Sequence, residues 1–203
     1  RPSDWDDRTL SELGRAHMNR RLFCTTTGST LVAASLPCIR EVLAAGTSGT
    51  PIVLKPSDIA DLRASLKGPL LVPEQEGYET ARKVWNGAFD RRPALVARCS
   101  GAADVTSAVN FAQTHQLLVA VRGGGHSFPG HSVCDGGLLI DLSGMKGIRV
   151  DRVARTARIE PGVLLGELDR ETQALGLATP LGTVSKTGVA GLTLGGGFGR
   201  LAR

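Results

Sequence analysis

The sequence predicts an α+β fold in two lobes. Residues 93–122 read as strand, helix, strand, the spacing of a β-α-β unit with a parallel pair. Residues 148–175 read as a polar-apolar hairpin followed by an amphipathic helix. The chain then runs through "LATPLGTVSKTGVAGLTLGGGFGRLAR", nearly free of charge and too irregular for a helix, which implies a concave surface that something must occupy. The lobes are expected to join near residues 120–145.

The elements follow in order. Arg20-Arg21 before the uncharged stretch from Leu22 to Ile39 has the layout of an export signal, with Met18 as its natural start. It resembles a bacterial twin-arginine signal, so the protein is expected to be periplasmic or extracellular. Thr25, Thr26, Thr27, Gly28, Ser29 and Pro37 break the stretch too often for a membrane anchor, which needs about 20 apolar residues. Residues 1–50 are therefore assigned to a leader region, and 51–77 to a linker with an N-terminal helix. "GTSGTPIVLKPSD" is the linker, and Ser57 is expected to cap a helix from Asp58 to Leu66. A short helix is expected from Glu79 to Trp85.

"PALVARC", "LLVAVRGGG" and "GGLLIDLSGM" are three strand runs. Between the first two, Val105, Ala108, Val109 and Ala112 recur at helical spacing. From Val163 to Leu175, Leu164, Leu165, Leu168 and Leu175 fall on one helical face, with Gly176 as the stop.

The net charge of +5 would suit nucleic acid, but the basic residues are dispersed and 4% aromatic content offers no stacking platform, so no nucleic acid is expected. Of four cysteines, Cys24 and Cys38 fall in the leader, and Cys99 and Cys134 read as two separate buried thiols rather than a bridge. No metal-ligand spacing is present, and His131 adds none to His126.

The chemistry concentrates in "RGGGHSFPGHS", Arg122 to Ser132. Gly123, Gly124 and Gly125 lack Cβ atoms, so their amides can converge on an anion such as a pyrophosphate. A dinucleotide GxGxxG site is disfavoured, because Phe128-Pro129-Gly130 opens no helix. Nor does either glycine run end as a P-loop does, and no serine stands in a nucleophile elbow.

"VRGGGHSFPGHSVCDGGLLIDLSGMKGIRVD", followed by "ARIEPGVLLGELDRETQALGLATPLGTVSKTGVAGLTLGGGFGRLAR", resembles the flavin-binding region of the vanillyl-alcohol oxidase and para-cresol methylhydroxylase (PCMH) superfamily. Its berberine bridge enzyme-like FAD-linked oxidases are the nearest group. The likeness runs from about Tyr78 to Arg203 and implies a two-lobed PCMH-type FAD-binding domain over 78–203, cut off before a substrate domain.

The resemblance implies FAD lying between the lobes. Arg122, Gly123, Gly124, Gly125, His126 and Ser127 would hold its pyrophosphate side, with His126 bonded to the flavin 8α-methyl carbon. Asp141 and Leu142 match a strand end beside the cofactor. Thr183, Thr187, Gly188, Gly191, Gly195, Gly196 and Gly197 would lie along FAD. Some relatives add a second link through cysteine, where this chain has Val184, so a single covalent bond is expected.

The implied activity is hydride transfer from an alcohol, sugar or amine-type carbon of a small-molecule substrate to FAD. Oxygen would be the acceptor, or another carrier if the protein is a dehydrogenase of the same fold. A colourless exported binding module is the remaining alternative. No catalytic base is offered by these residues.

Overall fold

The computed structural model describes residues 40–201. The expected signal, its twin arginines, Cys24 and Cys38 lie outside them.

The first element is a hairpin of β1 (Val42–Ala45) and β2 (Pro51–Leu54), paired antiparallel with Val42 opposite Leu54. Strand alternation sends Ala44 and Leu54 into the core and leaves Leu43 and Val53 outside. The Ala45 amide donates to Gly136 O (2.8 Å) and the Leu118 amide to Ala45 O (2.9 Å), which stitches the hairpin to the main sheet. This corrects the boundary at residue 50 and the reading of 46–58 as a linker. The glycine, serine and threonine that suggested a linker form the hairpin turn, where Gly49 takes φ +77°.

Helix α1 (Pro56–Ser65) starts with proline in its first turn and buries Ile59 and Leu62. Its capping acceptor is Asp58, which takes the Lys55 amide at 3.3 Å, rather than Ser57 as expected.

The main sheet has four strands in the order β3 (Leu70–Leu71), β4 (Leu95–Arg98), β6 (Leu138–Asp141), β5 (Val119–Arg122). β3 is antiparallel to β4; β4, β6 and β5 are parallel. The expected pairing of β4 with β5 is thus replaced by insertion of β6 between them. Burial explains the order: all four residues of β6 are buried, as a central strand requires, whereas Val119 and Val121 of β5 stay exposed at an edge.

One face of the sheet packs Leu95, Ala97, Leu138 and Ile140 against α1 and α3 (Ala102–Thr114). The other packs Val96, Leu139 and Ala120 against Val133, Cys134 and α2 (Tyr78–Ala81). In α3, Ala108 and Ala112 face inward as expected, but Val109 is 47% exposed and the buried first-turn residue is Asp104. Its carboxylate accepts the amides of Lys67, Gly68 and Ser100 and the Ser100 hydroxyl. Burial alone would raise its pKa; these four donors overcome that and bring it to about 2. α2 ends at Ala81, short of Trp85, because the next backbone groups bond to the glycine loop instead: Arg122 Nη1 donates to Lys83 O (3.0 Å) and the Trp85 amide to Gly125 O (3.1 Å).

The second lobe holds the expected hairpin, β7 (Ile148–Asp151) and β8 (Thr156–Ile159), and helices α4 (Leu165–Gln173) and α5 (Val189–Leu194). Its core is Val163, Leu165, Leu168 and Val189, with Ile148, Ile159, Leu181 and Leu192 packed around them. Leu164 stands just before α4 rather than in it, and its backbone bridges to Gly188. α5 corrects the expectation of no helix in the tail: Val189 and Leu192, three apart, pin one face of a short helix to this core. The lobes change over at 142–147, at the late end of the expected range, since β5 and β6 both belong to the first sheet. Cys99 and Cys134 are buried free thiols, each pushed by burial to about 11.

Candidate cofactor site

β5 ends at Arg122 and delivers the three glycines to the gap between the lobes. A Cβ on Gly123 would stand 2.6 Å from Pro161 O. One on Gly124 would stand 2.5 Å from Gly188 Cα, and one on Gly188 2.7 Å from Gly124 Cα. Real Cβ atoms do not approach so closely, so the two glycine-rich segments touch backbone to backbone and only glycine allows it. Gly125 completes the turn at φ +71°.

A cavity of about 460 Å³ opens on one side of this contact. The loop from Gly123 to Ser127 forms one wall, and Thr187, Gly188, Gly191, Leu192, Gly195 and Gly197 the other. A second cavity of about 470 Å³ lies across the same loop, walled by Thr80, Lys83, Trp85, Arg98, Arg122 and Ser143 among others. Each falls within the ordinary range for small-molecule sites, about 300–1,000 Å³. Lys83, Arg98 and Arg122 bring three cations to the second cavity, and Asp141 pairs with two of them.

His126 stands on the wall of the first cavity. Its Nδ1 lies 2.8 Å from Gly124 O. A carbonyl only accepts, so Nδ1 carries the proton and Nε2 is left as the basic nitrogen. The imidazole stacks on Trp85, with ring centroids 5.6 Å apart and planes at 24°. His131 also lines this cavity, and its amide donates to Ser127 Oγ (3.0 Å).

Ten of the expected residues thus meet around the first cavity: Gly123 through Ser127, Thr187, Gly188, Gly191, Gly195 and Gly197. Five do not. Arg122 and Asp141 form a buried pair, with Nε donating to Oδ1 at 3.1 Å and Nη2 at 2.6 Å from Oδ2. Arg122 reaches only the second cavity, while Asp141 is 1% exposed and touches neither. The Arg122 hydrogen bond and charge, with Ser143, hold the Asp141 carboxyl below its usual range although burial pushes the other way. Leu142 packs on the core and donates its amide to Arg122 O (2.8 Å). Thr183 is exposed away from both cavities, and Gly196 turns at φ +106° off the wall.

Sequence reasoning missed Lys83, Trp85 and Arg98 on the second cavity and Ser132 on the first. Trp85 is one of two tryptophans in the chain and sits in a polar stretch, which was a usable signal.

Two features suit the site to a bound polar cofactor. Ser132 Oγ is buried on the cavity wall and has no hydrogen-bond partner among the described residues. Such orphans are rare unless something outside the protein satisfies them. A Cβ on Gly191 would meet nothing within 4 Å, so this glycine is not required by the fold and leaves room in the cavity.

Comparison with known proteins agrees. A family model described as an FAD binding domain matches residues 93–203. An FAD-linked oxidoreductase of Dictyostelium discoideum is 44% identical over 140 residues, 68% of this chain and 30% of that protein. The (R)-6-hydroxynicotine oxidase of Paenarthrobacter nicotinovorans is 39% identical over 137 residues, again 68% and 30%. The solved structure of Physcomitrella patens BBE-like 1 superposes with a TM-score of 0.65 at 30% identity, over 70% of this chain and 31% of that one. The chain spans about 30% of the length of the curated relatives it matches. It belongs to the FAD binding domain family, as the FAD-binding region of the berberine bridge enzyme-like and 6-hydroxynicotine oxidase group of FAD-linked oxidoreductases.

Proposed function

We propose that the full-length protein is an FAD-dependent oxidase whose FAD is bonded to His126. The supporting observation is the place of His126 on the wall between two touching glycine segments, with Nδ1 committed to Gly124 O and Nε2 free of any hydrogen bond among the described residues. Bound FAD would supply a two-electron acceptor for hydride from an alcohol, sugar or amine-type carbon. The chain's own residues bind and orient it. The amides of Gly123 to Gly125 and the Ser132 hydroxyl offer donors, and Lys83 and Arg98 place positive charge where phosphates would lie.

Were FAD held there, Nε2 would gain a bond to the 8α-methyl carbon as a C–H bond of that methyl breaks, and the imidazole would give up its Nδ1 proton. Dioxygen would take the two electrons released, and with two protons, equal in number to those given up by the methyl and by Nδ1, would become hydrogen peroxide. Export through the Arg20-Arg21 stretch belongs to the same reading, and cell fractionation tests it.

The test is flavin retention. Wild-type protein is expected to keep yellow, fluorescent flavin on the polypeptide after acid precipitation, and His126→Ala to release all of it. Acid-stable flavin in His126→Ala would overturn the covalent assignment. Reoxidation of the reduced protein by dioxygen against an artificial acceptor separates oxidase from dehydrogenase.

A further inference from the structure

The glycine-histidine loop is held by a segment of which only Lys83 has a part in the proposed cofactor binding. Residues 83–92 run alongside 122–135 and bond to them through Lys83, Trp85, Asn86, Arg91 and Arg92. Lys83 O accepts from Arg122 Nη1 and the Trp85 amide donates to Gly125 O. Asn86 Nδ2 donates to Phe128 O (2.9 Å). Arg91 Nη1 donates to Gly130 O and Val133 O (both 3.0 Å), and the Arg92 amide to Asp135 Oδ1 (2.8 Å). This strap precedes residue 93, where the family match begins.

Trp85 is the one strap side chain against a candidate reactive group. Its indole stacks on the His126 ring, yet the residue is 64% exposed. A large aromatic left this open contributes little to a core, so its placement calls for another reason. Stacking uses the ring face and consumes neither imidazole nitrogen. The Nδ1 bond to Gly124 O holds the ring at one atom, and the indole stacks against one of its faces. The backbone bond from Trp85 to Gly125 holds the main chain from which the indole projects.

We propose that Trp85 is a positioning residue: anchored by the strap, its indole sets the plane of the His126 imidazole and so speeds attachment of the flavin. This rests on the reading that His126 carries FAD. The bond formed and the fate of proton and electrons are those given above, with dioxygen as oxidant.

The experiment uses the full-length protein prepared without flavin, then mixed with FAD in air. Acid-stable flavin is followed over time beside total bound FAD. At saturating FAD, Trp85→Ala is expected to attach flavin about tenfold more slowly per bound FAD than wild type, since small misplacements of a reacting group carry such penalties. Trp85→Phe, which keeps a ring face, is expected to recover most of the rate. Attachment by Trp85→Ala at the wild-type rate overturns the proposal, as does a loss of total FAD binding matching the loss of attachment. A second readout needs no flavin: the His126 Cε1–H resonance in flavin-free protein should lose its indole ring-current shift in Trp85→Ala. An unchanged resonance also overturns the proposal. Acid-stable flavin in His126→Ala would sink the covalent reading itself while leaving the resonance test of ring placement intact.

Discussion

The two glycine-rich segments meet at Gly124 and Gly188, yet their surroundings differ sharply. The first, 123–125, is enclosed: the strap's Trp85 amide donates to Gly125 O, Pro161 and Gly188 block two of its Cβ positions, and the Arg122–Asp141 pair lies beneath it. The second, 188–199, rests on a four-residue core through Val189 and Leu192, and leaves Leu194, Phe198 and the Cβ direction of Gly191 open. Glycine therefore means two things in one site. In the first segment it satisfies protein packing, and at Gly191 it leaves space that only a bound molecule would fill.

The largest effect is expected at the base of the enclosed segment. Arg122→Ala leaves Asp141 buried without its main partner, and breaking such a pair costs about 3–5 kcal/mol. Urea unfolding of flavin-free protein measures it. If Arg122 were instead a cofactor ligand, as expected from sequence, the flavin-free protein would unfold as wild type does and only FAD affinity would drop.

The comparison itself is tested by placing the same methyl group in each segment. Gly124→Ala forces apart two backbones and is expected to destabilise the flavin-free protein by about 1–3 kcal/mol. Gly191→Ala lies within α5, meets nothing, and is expected to stabilise it by about 0.5–1 kcal/mol. In the full-length protein the same Gly191→Ala should weaken FAD binding roughly tenfold, equivalent to about 1.4 kcal/mol. Unchanged FAD affinity would show that the cofactor does not pass over α5.

The enclosed segment was also the more legible one. Apolar runs announce β4, β5 and β6, and alternation announces β7 and β8, because burial on two faces or one writes itself into a short window. Ten of the residues named from the resemblance line one cavity. Strand order was not legible: nothing local tells Leu138–Asp141 to insert between two earlier strands. Hairpin β1–β2 was hidden by a turn with a linker's composition, and α5 by glycines that serve the site rather than the helix. The strap was least visible, since Lys83 and Trp85 act there through backbone groups that every residue carries. Arg122 and Asp141 were legible as a strand-end pair of interest but not as each other's partners, because a strand-end arginine looks the same whether it faces a phosphate or a carboxylate.

The smallest effect lies where the second lobe is tied to the first. Glu167, three residues past Leu164, accepts the Leu164 amide at 2.7 Å and pairs with Lys146 Nζ at 2.8 Å, so one carboxylate both caps α4 and fastens it to the connection between lobes. Burial would raise its pKa; the Lys146 hydrogen bond and the Leu164 amide outweigh that and lower it. A lowered folded-state pKa adds stability above the ordinary glutamate value near 4.5, which fades as the pH falls through the folded value. Glu167→Gln keeps an oxygen for the Leu164 amide and loses the charge. With Lys146 and Glu167 both partly exposed, the cost at pH 7 is expected to be about 0.5 kcal/mol and smaller in high salt. Unfolding curves of wild type and variant should converge as the pH falls below about 4.5. A gap that stays constant over that range would place the contribution of Glu167 in the amide bond alone, and the tie between the lobes would then owe nothing to Lys146.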